Sequence, residues 1–145
     1  MKVRECMTHE VVVANPAQTI VDAARMMSEC DSGVLPVAEN DRLVGILTDR
    51  DIVIRAVAKN LGNSTPIRDV MSSGKVLYCF EEDDVSDAAG SMAEQQVRRF
   101  PVLNKEKRLV GMISLGDISK GTPRQAGKAE AGVTRPGGKH DQARH

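Results

Sequence analysis

Two stretches of this chain place a hydroxyl residue three positions ahead of an aspartate, directly after a glycine and two apolar residues. The first is Gly45-Ile46-Leu47-Thr48-Asp49-Arg50-Asp51, and the second is Gly111-Met112-Ile113-Ser114-Leu115-Gly116-Asp117. The glycine and apolar pair predict a strand, and the hydroxyl residue predicts the start of a helix. A strand that feeds directly into a helix N-terminus leaves backbone N–H groups free to meet an anion. An aspartate in the first turn can accept hydrogen bonds from sugar hydroxyls. Thr48, Asp51, Ser114 and Asp117 are therefore candidate ligands for a nucleotide. The same spacing also fits a capping box, in which hydroxyl and carboxylate satisfy the helix start themselves. The two roles overlap, because a capping threonine can still touch a ligand.

The basic residues that could meet a phosphate lie at different places in the two copies. Arg50 follows the first hydroxyl, whereas Arg98 and Arg99 precede Phe100-Pro101 in the second half. A guanidinium suits bidentate phosphate recognition. The competing reading pairs Arg98 and Arg99 with surface acids such as Glu94. Catalytic chemistry is not indicated. The only histidine ahead of the C-terminal tail is His9, with Cys6 as its sole neighbour at ligand spacing. No Ser/His/Asp, Cys/His or metal constellation is visible, so the chain is not expected to be an enzyme and no metal site is expected.

The elements that must position these residues occur twice. Val3-Arg4-Glu5-Cys6-Met7 is echoed by Ile67-Arg68-Asp69-Val70-Met71 at an offset of 64 residues. Asp22-Ala23-Ala24 and Met27 are echoed by Asp87-Ala88-Ala89 and Met92, and Pro36-Val37 by Pro101-Val102, at 65. Leu43-Val44-Gly45 and Asp51-Ile52 return as Leu109-Val110-Gly111 and Asp117-Ile118 at 66. Blocks in one order at nearly fixed spacing mark an internal repeat.

Each copy parses alike. The β-branched run Val11-Val12-Val13 predicts a strand. Thr19 and Asp22 form a capping box for a helix that turns Ile20, Ala23, Ala24 and Met27 inward and ends at Asp31-Ser32-Gly33. Val34-Leu35-Pro36-Val37 predicts a strand that Pro36 makes an edge or a bent one. A turn at Glu39-Asn40-Asp41 leads to a second strand over residues 43–47, and residues 49–58 form a helix. The second copy predicts a strand over residues 76–79 and a helix from Val85 with Val85, Ala88, Ala89 and Met92 inward. A hairpin across Asn104-Lys105-Glu106 and a short helix from Leu115 follow. Residues 59–66 read as a linker. From residue 121 apolar periodicity vanishes, which predicts a disordered basic tail.

Composition narrows the function classes. At 145 residues the chain can hold one core or two related halves. Aromatic content of 2% gives no stacking platform for single-stranded nucleic acid. Residues 1–119 carry 14 Lys/Arg against 18 Asp/Glu, a charge of −4 that disfavours DNA; residues 120–145 carry +4. No apolar run reaches a membrane span, and Met1-Lys2-Val3-Arg4-Glu5-Cys6 lacks a signal region, so a cytoplasmic protein is expected. Cys6, Cys30 and Cys79 are scattered and form no Cys-x-x-Cys pair; each reads as a small apolar packing residue. Met26, Met27 and Met92 read as core or dimer filling. Ile52, Val53, Ala56, Val57 and Ile118 would leave apolar surface on short helices, for which a homodimer face is the simplest partner.

The doubled β-α-β-β-α unit with Gly-φ-φ-[Ser/Thr]-x-x-Asp resembles the CBS domain in its paired form, the Bateman module. The resemblance covers residues 1 to about 120, with one repeat over 1–60, the second over 61–120 and the tail over 121–145. The Leu47-Thr48-Asp49-Arg50-Asp51-Ile52 wording is most similar to small stand-alone bacterial CBS-pair proteins. The resemblance implies an α/β (α+β) fold with a pseudo-two-fold axis, clefts between the repeats, and a flat homodimer. It implies an adenosine-containing regulatory ligand (AMP, ADP, ATP, NAD or S-adenosylmethionine), with no cofactor required. Carried over residue by residue, Asp51 and Asp117 would hold ribose, while Thr48 and Ser114 would contact ribose or phosphate. Val34-Leu35-Pro36 and Arg99-Phe100-Pro101 would line the adenine or phosphate end, and the backbone near Val13-Ala14 and Cys79-Phe80 would meet the adenine edge.

Two readings of function remain. In one, nucleotide binding changes dimer geometry or affinity for an unidentified regulated protein. In the other, the pair is a ligand-free dimeric scaffold whose basic tail binds an acidic partner.

Overall fold

Helix α1, Ile20–Cys30, begins where the sequence signals it. Thr19 Oγ1 accepts the Asp22 N–H at 3.2 Å, and Asp22 Oδ2 accepts the Thr19 N–H at 3.0 Å. Asp31 ends the helix in the left-handed conformation. The computed structural model of the chain describes residues 1–74 and 76–121. The predicted tail beyond Gly121 lies outside the described residues.

After α1 the chain enters β1, Val34–Glu39, and returns antiparallel as β2, Arg42–Thr48. The turn places both Asn40 and Asp41 at positive φ, the geometry of a tight two-residue hairpin. Pro36 is buried, and the register slips just beyond it, between Val37 and Ala38. The strand expected over residues 11–13 does not form. Only Ala14 reaches β1, giving its N–H to Pro36 O at 3.0 Å and accepting that of Ala38 at 2.9 Å. Asn15 then turns the chain, its side-chain oxygen accepting the Ala17 N–H at 2.9 Å. Helix α2, Asp49–Ile52, runs directly into a π-helical turn, Val53–Val57, closed by Ala58 N–H on Val53 O at 2.8 Å. The single α-helix expected over residues 49–58 is thus two helical forms.

The second copy repeats the pattern with variations. Strand β3 is only Cys79–Phe80 and lies parallel to β4, Arg99–Leu103, which neighbours β5, Leu109–Ser114. Helix α3, Val85–Gln95, is capped by Asp84, whose Oδ1 accepts the Ser86 N–H at 2.8 Å. Its expected inward residues Val85, Ala88, Ala89 and Met92 are all buried. Ala24, the counterpart of Ala89 on α1, is exposed instead. Helix α4, Leu115–Gly121, closes the described chain. Ile118 is fully buried there, as is Ala56 on the π-helical turn, so neither contributes surface to a partner; Ile118 follows Leu115 by three residues and shares its buried face.

The chain divides into two compact units that are not consecutive in sequence. The first unit holds residues Val12–Val76 with Lys107–Leu109; the second holds Met1–Val11, Leu77–Glu106 and the chain from Val110. Each unit takes a one-turn 3-10 helix from the start of the other repeat. Ile67–Asp69 belongs to the first unit, where the Ile67 N–H donates to Gln18 O at 2.8 Å. Val3–Glu5 belongs to the second, where the Val3 N–H donates to Asp83 O at 2.8 Å. Ile67 and Val70 are buried in the first core, with Leu35, Val37 and Leu47. Val3 and Met7 are buried in the second, with Phe100, Val102 and Ile113. Burying an apolar side chain of this size stabilises by about 1.5–3 kcal/mol, so these donated turns are part of each core.

The exchange explains the glycines that begin the two signatures. Next to Gly45, Ile46 and Ser72 exchange backbone hydrogen bonds of 2.9 Å each; next to Gly111, Met112 and Thr8 exchange bonds of 3.0 and 2.8 Å. A Cβ on Gly45 would lie 2.8 Å from Met71 Sδ and 2.9 Å from Ser72 O. One on Gly111 would lie 2.6 Å from Thr8 O. Close backbone approach, rather than turn geometry, requires glycine at both places.

Candidate functional site

Each signature forms a strand-to-helix corner. In the first unit the Thr48 N–H donates to Asp51 Oδ2 at 2.9 Å, and the Asp51 N–H donates to Thr48 Oγ1 at 3.0 Å. In the second, Ser114 N–H to Asp117 Oδ2 is 2.9 Å and Asp117 N–H to Ser114 Oγ is 3.1 Å. Both pairs are capping boxes, as the spacing allowed. Capping commits one oxygen of each carboxylate and leaves Oδ1 without a hydrogen bond among the described residues. A carboxylate offers about four lone-pair sites, so it can cap a helix and still accept from a vicinal diol.

The aspartates differ in their surroundings. Asp51 Oδ1 lies 3.9 Å from Arg55 Nε, and the Arg55 Nη1 donates to Val70 O and Met71 O at 3.2 Å each. That guanidinium ties the Asp51 corner to the donated segment. Asp117 has no such cation among the described residues; its charge instead helps to hold the Cys6 thiol in its neutral form, after burial as the larger cause.

The strands before each corner place the other candidates. Val34 and Arg99 begin β1 and β4, Leu35 and Phe100 are buried beside them, and Pro36 and Pro101 follow. Ala14 is buried on β1, whereas Val13 is exposed. Cys79 is buried and paired with Val102, and Phe80 meets Tyr78 edge to face at 5.4 Å. Burial pushes the Cys79 thiol up to about 12, with Asp83 and Cys6 adding to the effect, so it stays neutral. The described cysteines are all free. Arg50, Arg98 and Arg99 are exposed, and none of them forms an ion pair among the described residues, Glu94 included.

Two backbone contacts were not visible in the sequence. Asp49 N–H donates to Gly33 O at 2.9 Å, and Leu115 N–H donates to Arg98 O at 2.8 Å. Gly33 and Arg98 are therefore counterparts, as are Asp49 and Leu115. The repeat already sets Gly33 against Arg98 and Asp49 against Leu115; only the backbone bonds show that Gly33 meets Asp49 and that Arg98 meets Leu115.

Among the described residues no group of three or more His, Cys, Asp or Glu could hold a metal ion, and no helix is long and apolar enough to cross a membrane.

The family model of the CBS domain matches residues 3–57 and again residues 67–122. The CBS domain-containing protein YhcV of Bacillus subtilis is 38% identical over 117 residues, covering 81% of this chain and 82% of its own. The crystal structure of Hypoxic Response Protein I with two coordinated zinc ions matches with a TM-score of 0.74 at 34% identity, covering 83% of this chain and 98% of that one. The CBS domain pair of protein MJ0100, in complex with 5'-methylthioadenosine and S-adenosyl-L-methionine, matches with a TM-score of 0.73 at 25% identity. It covers 86% of this chain and 98% of that one.

Proposed function

The chain belongs to the CBS domain family as a tandem pair, and from that premise we propose that it is a regulatory module that binds an adenosine-containing ligand at its Thr48/Asp51 and Ser114/Asp117 corners. The observation that carries the reading is that both aspartates cap their helices through Oδ2 and leave Oδ1 without a hydrogen bond among the described residues, that of Asp51 facing only Arg55 at 3.9 Å. The MJ0100 pair, with its bound adenosine compounds, supports the ligand class. AMP, ADP, ATP and NAD are the ligands to test beside those two. The ligand acts by differential affinity between two states, without chemistry at the site.

The output passes through a homodimer or a regulated protein in the cytoplasm. Val53, Ile54 and Val57 are exposed on the π-helical turn, with Val57 at 65%. They offer the apolar face for a second copy. The same face favours the second reading, a dimeric scaffold that needs no ligand.

A thermal-shift titration of the full chain separates the two. Ligand at 100 times its dissociation constant stabilises by about 2.7 kcal/mol. For a chain of this size the midpoint rises by roughly 8 °C. A selective rise that is lost in Asp51→Ala and Asp117→Ala supports the sensor. A flat response to every adenosine compound leaves the scaffold.

A further inference from the structure

We infer that the two corners select ligands of opposite charge character: the second unit takes a phosphorylated adenosine, and the first, guarded by Asp49, takes an uncharged or cationic one. The inference rests on the nucleotide-binding reading above and goes further, by assigning a ligand class to each corner.

Asp49 N–H on Gly33 O and Leu115 N–H on Arg98 O, at 2.9 and 2.8 Å, are the same contact in the two units. In the first unit the contact carries an acid and no cation; in the second it carries an arginine and no acid. The Asp49 carboxylate folds over Gly33. A Cβ there would meet Asp49 Oδ2 at 2.7 Å and its carboxyl carbon at 2.9 Å. In the second unit that place is where the Arg98 side chain starts. The carboxylate is held by its own turn, with Asp49 Oδ1 accepting the Arg50 N–H at 2.8 Å. A negative charge therefore stands in one corner where the other begins a guanidinium.

The neighbouring charges run the same way. The first corner has Asp49, Arg50, Asp51 and Arg55, two of each sign, and Arg55 lies against Asp51 at 3.9 Å. The second has Arg98, Arg99 and Asp117, with the apolar Leu115 and Gly116 in the variable positions. Like charges brought together cost affinity, and a guanidinium is suited to a phosphate. Asp49 and Leu115 each stand two residues before the aspartate of their corner, so the difference lies beside the candidate ribose site.

The test isolates each corner in the full chain and reads binding by calorimetry with adenosine, 5'-methylthioadenosine and AMP. Asp117→Ala leaves the first corner. It is expected to favour the uncharged compounds over AMP, and Asp49→Asn is expected to raise AMP affinity about tenfold, equivalent to about 1.4 kcal/mol, without moving adenosine. Asp51→Ala leaves the second corner. It is expected to favour AMP, and Arg98→Ala with Arg99→Ala is expected to lower AMP affinity about tenfold while sparing adenosine. Asp49→Leu, which installs the second unit's residue, serves if the asparagine variant does not fold. Equal AMP-to-adenosine ratios in the two backgrounds, or an Asp49→Asn effect shared by all three ligands, overturn the inference and leave the nucleotide reading intact. No binding of any adenosine compound by the wild-type chain overturns both.

Discussion

The three Thr/Ser-Asp pairs of this chain give a test in which helix capping and ligand binding come apart. Thr19 and Asp22 at the start of α1 form the same reciprocal hydrogen bonds, 3.0 and 3.2 Å, as Thr48 with Asp51 and Ser114 with Asp117. No ligand role is assigned to Asp22, so it reports the cost of losing a capping box alone. Removing a cap costs about 1 kcal/mol. Asp51 also faces Arg55 at 3.9 Å, with side-chain exposures of 14% and 46%. A pair that open to water adds no more than about 0.5 kcal/mol. Asp22→Ala and Asp117→Ala should therefore each cost about 1 kcal/mol, and Asp51→Ala up to about 1.5. At this chain length that is a fall of roughly 3–6 °C in the melting midpoint.

Urea unfolding of the three variants measures these losses, and repeating the melts with saturating adenosine compound measures what each aspartate does for binding. Asp22→Ala should keep the full ligand-induced rise, because its carboxylate only caps. Asp51→Ala and Asp117→Ala should each remove one binding event from the titration. If all three variants bind as the wild type does and differ only in stability, the carboxylates are caps and the ribose assignment is refuted. A loss beyond about 3 kcal/mol in Asp51→Ala would refute the ledger itself, since no cap and exposed ion pair sum to that.

The glycines are expected to split in sign. Gly111→Ala, whose Cβ would meet Thr8 O at 2.6 Å, should lose about 1–3 kcal/mol in urea melts, while Gly90→Ala in α3, with open space around it, should gain about 0.5–1 kcal/mol. Cys79, only 6% exposed and with its thiol pushed up to about 12, should resist iodoacetamide at pH 8 until the chain is unfolded. Because the unfolded thiol ionises first, near its ordinary value of 9.0, stability should fall as pH rises from there towards 12, by at most about 1.4 kcal/mol per pH unit; a Cys79→Ala chain with the same alkaline profile would exclude this cause. On the homodimer reading, Val57→Asp should convert a dimer to a monomer in light scattering without lowering the melting midpoint of dilute protein, and a wild-type chain that scatters as a monomer would refute it. Residues 1–60 expressed alone lack Ile67 and Val70 and should show no cooperative melt, whereas residues 12–76 should show one.

The local features were legible because they are set by neighbours in sequence. The Thr19 capping box, the positive-φ hairpin at Asn40-Asp41 and the inward face of α3 each depend on a few adjacent residues. Strand extent was not legible in the same way. Val11-Val12-Val13 has strand chemistry, but a strand exists only where a partner lies alongside, and β1 receives Ala14 alone. The apolar helix surface was read partly wrongly for the same reason. Ile118 looks like Val57 in composition, yet it turns onto the buried face begun by Leu115, while the first unit has the exposed Asp49 in that place. For the candidate site, the Thr/Ser-x-x-Asp spacing marked both corners. It did not show that Gly33 meets Asp49 or that Arg98 meets Leu115, because those pairs are 16 and 17 residues apart and are brought together only by the hairpin.

The exchange of the 3-10 turns gives the signature glycine a second consequence. Gly45 and Gly111 sit where the donated segments cross β2 and β5, three residues before Thr48 and Ser114. In the first unit Arg55 spans the distance from the donated segment to the corner, bonding Val70 O and Met71 O on one side and facing Asp51 on the other. The repeat offset of 66 residues puts Gly121 in the corresponding place of the second unit, so no arginine stands at that position. A ribose that drew Asp51 away from Arg55 would loosen one side of a bridge to the donated segment at Val70 and Met71, and a ribose on Asp117 would meet no such bridge among the described residues. On the reading that each aspartate holds a ribose, the two corners would therefore differ in what they transmit, because only Asp51 faces such an arginine among the described residues.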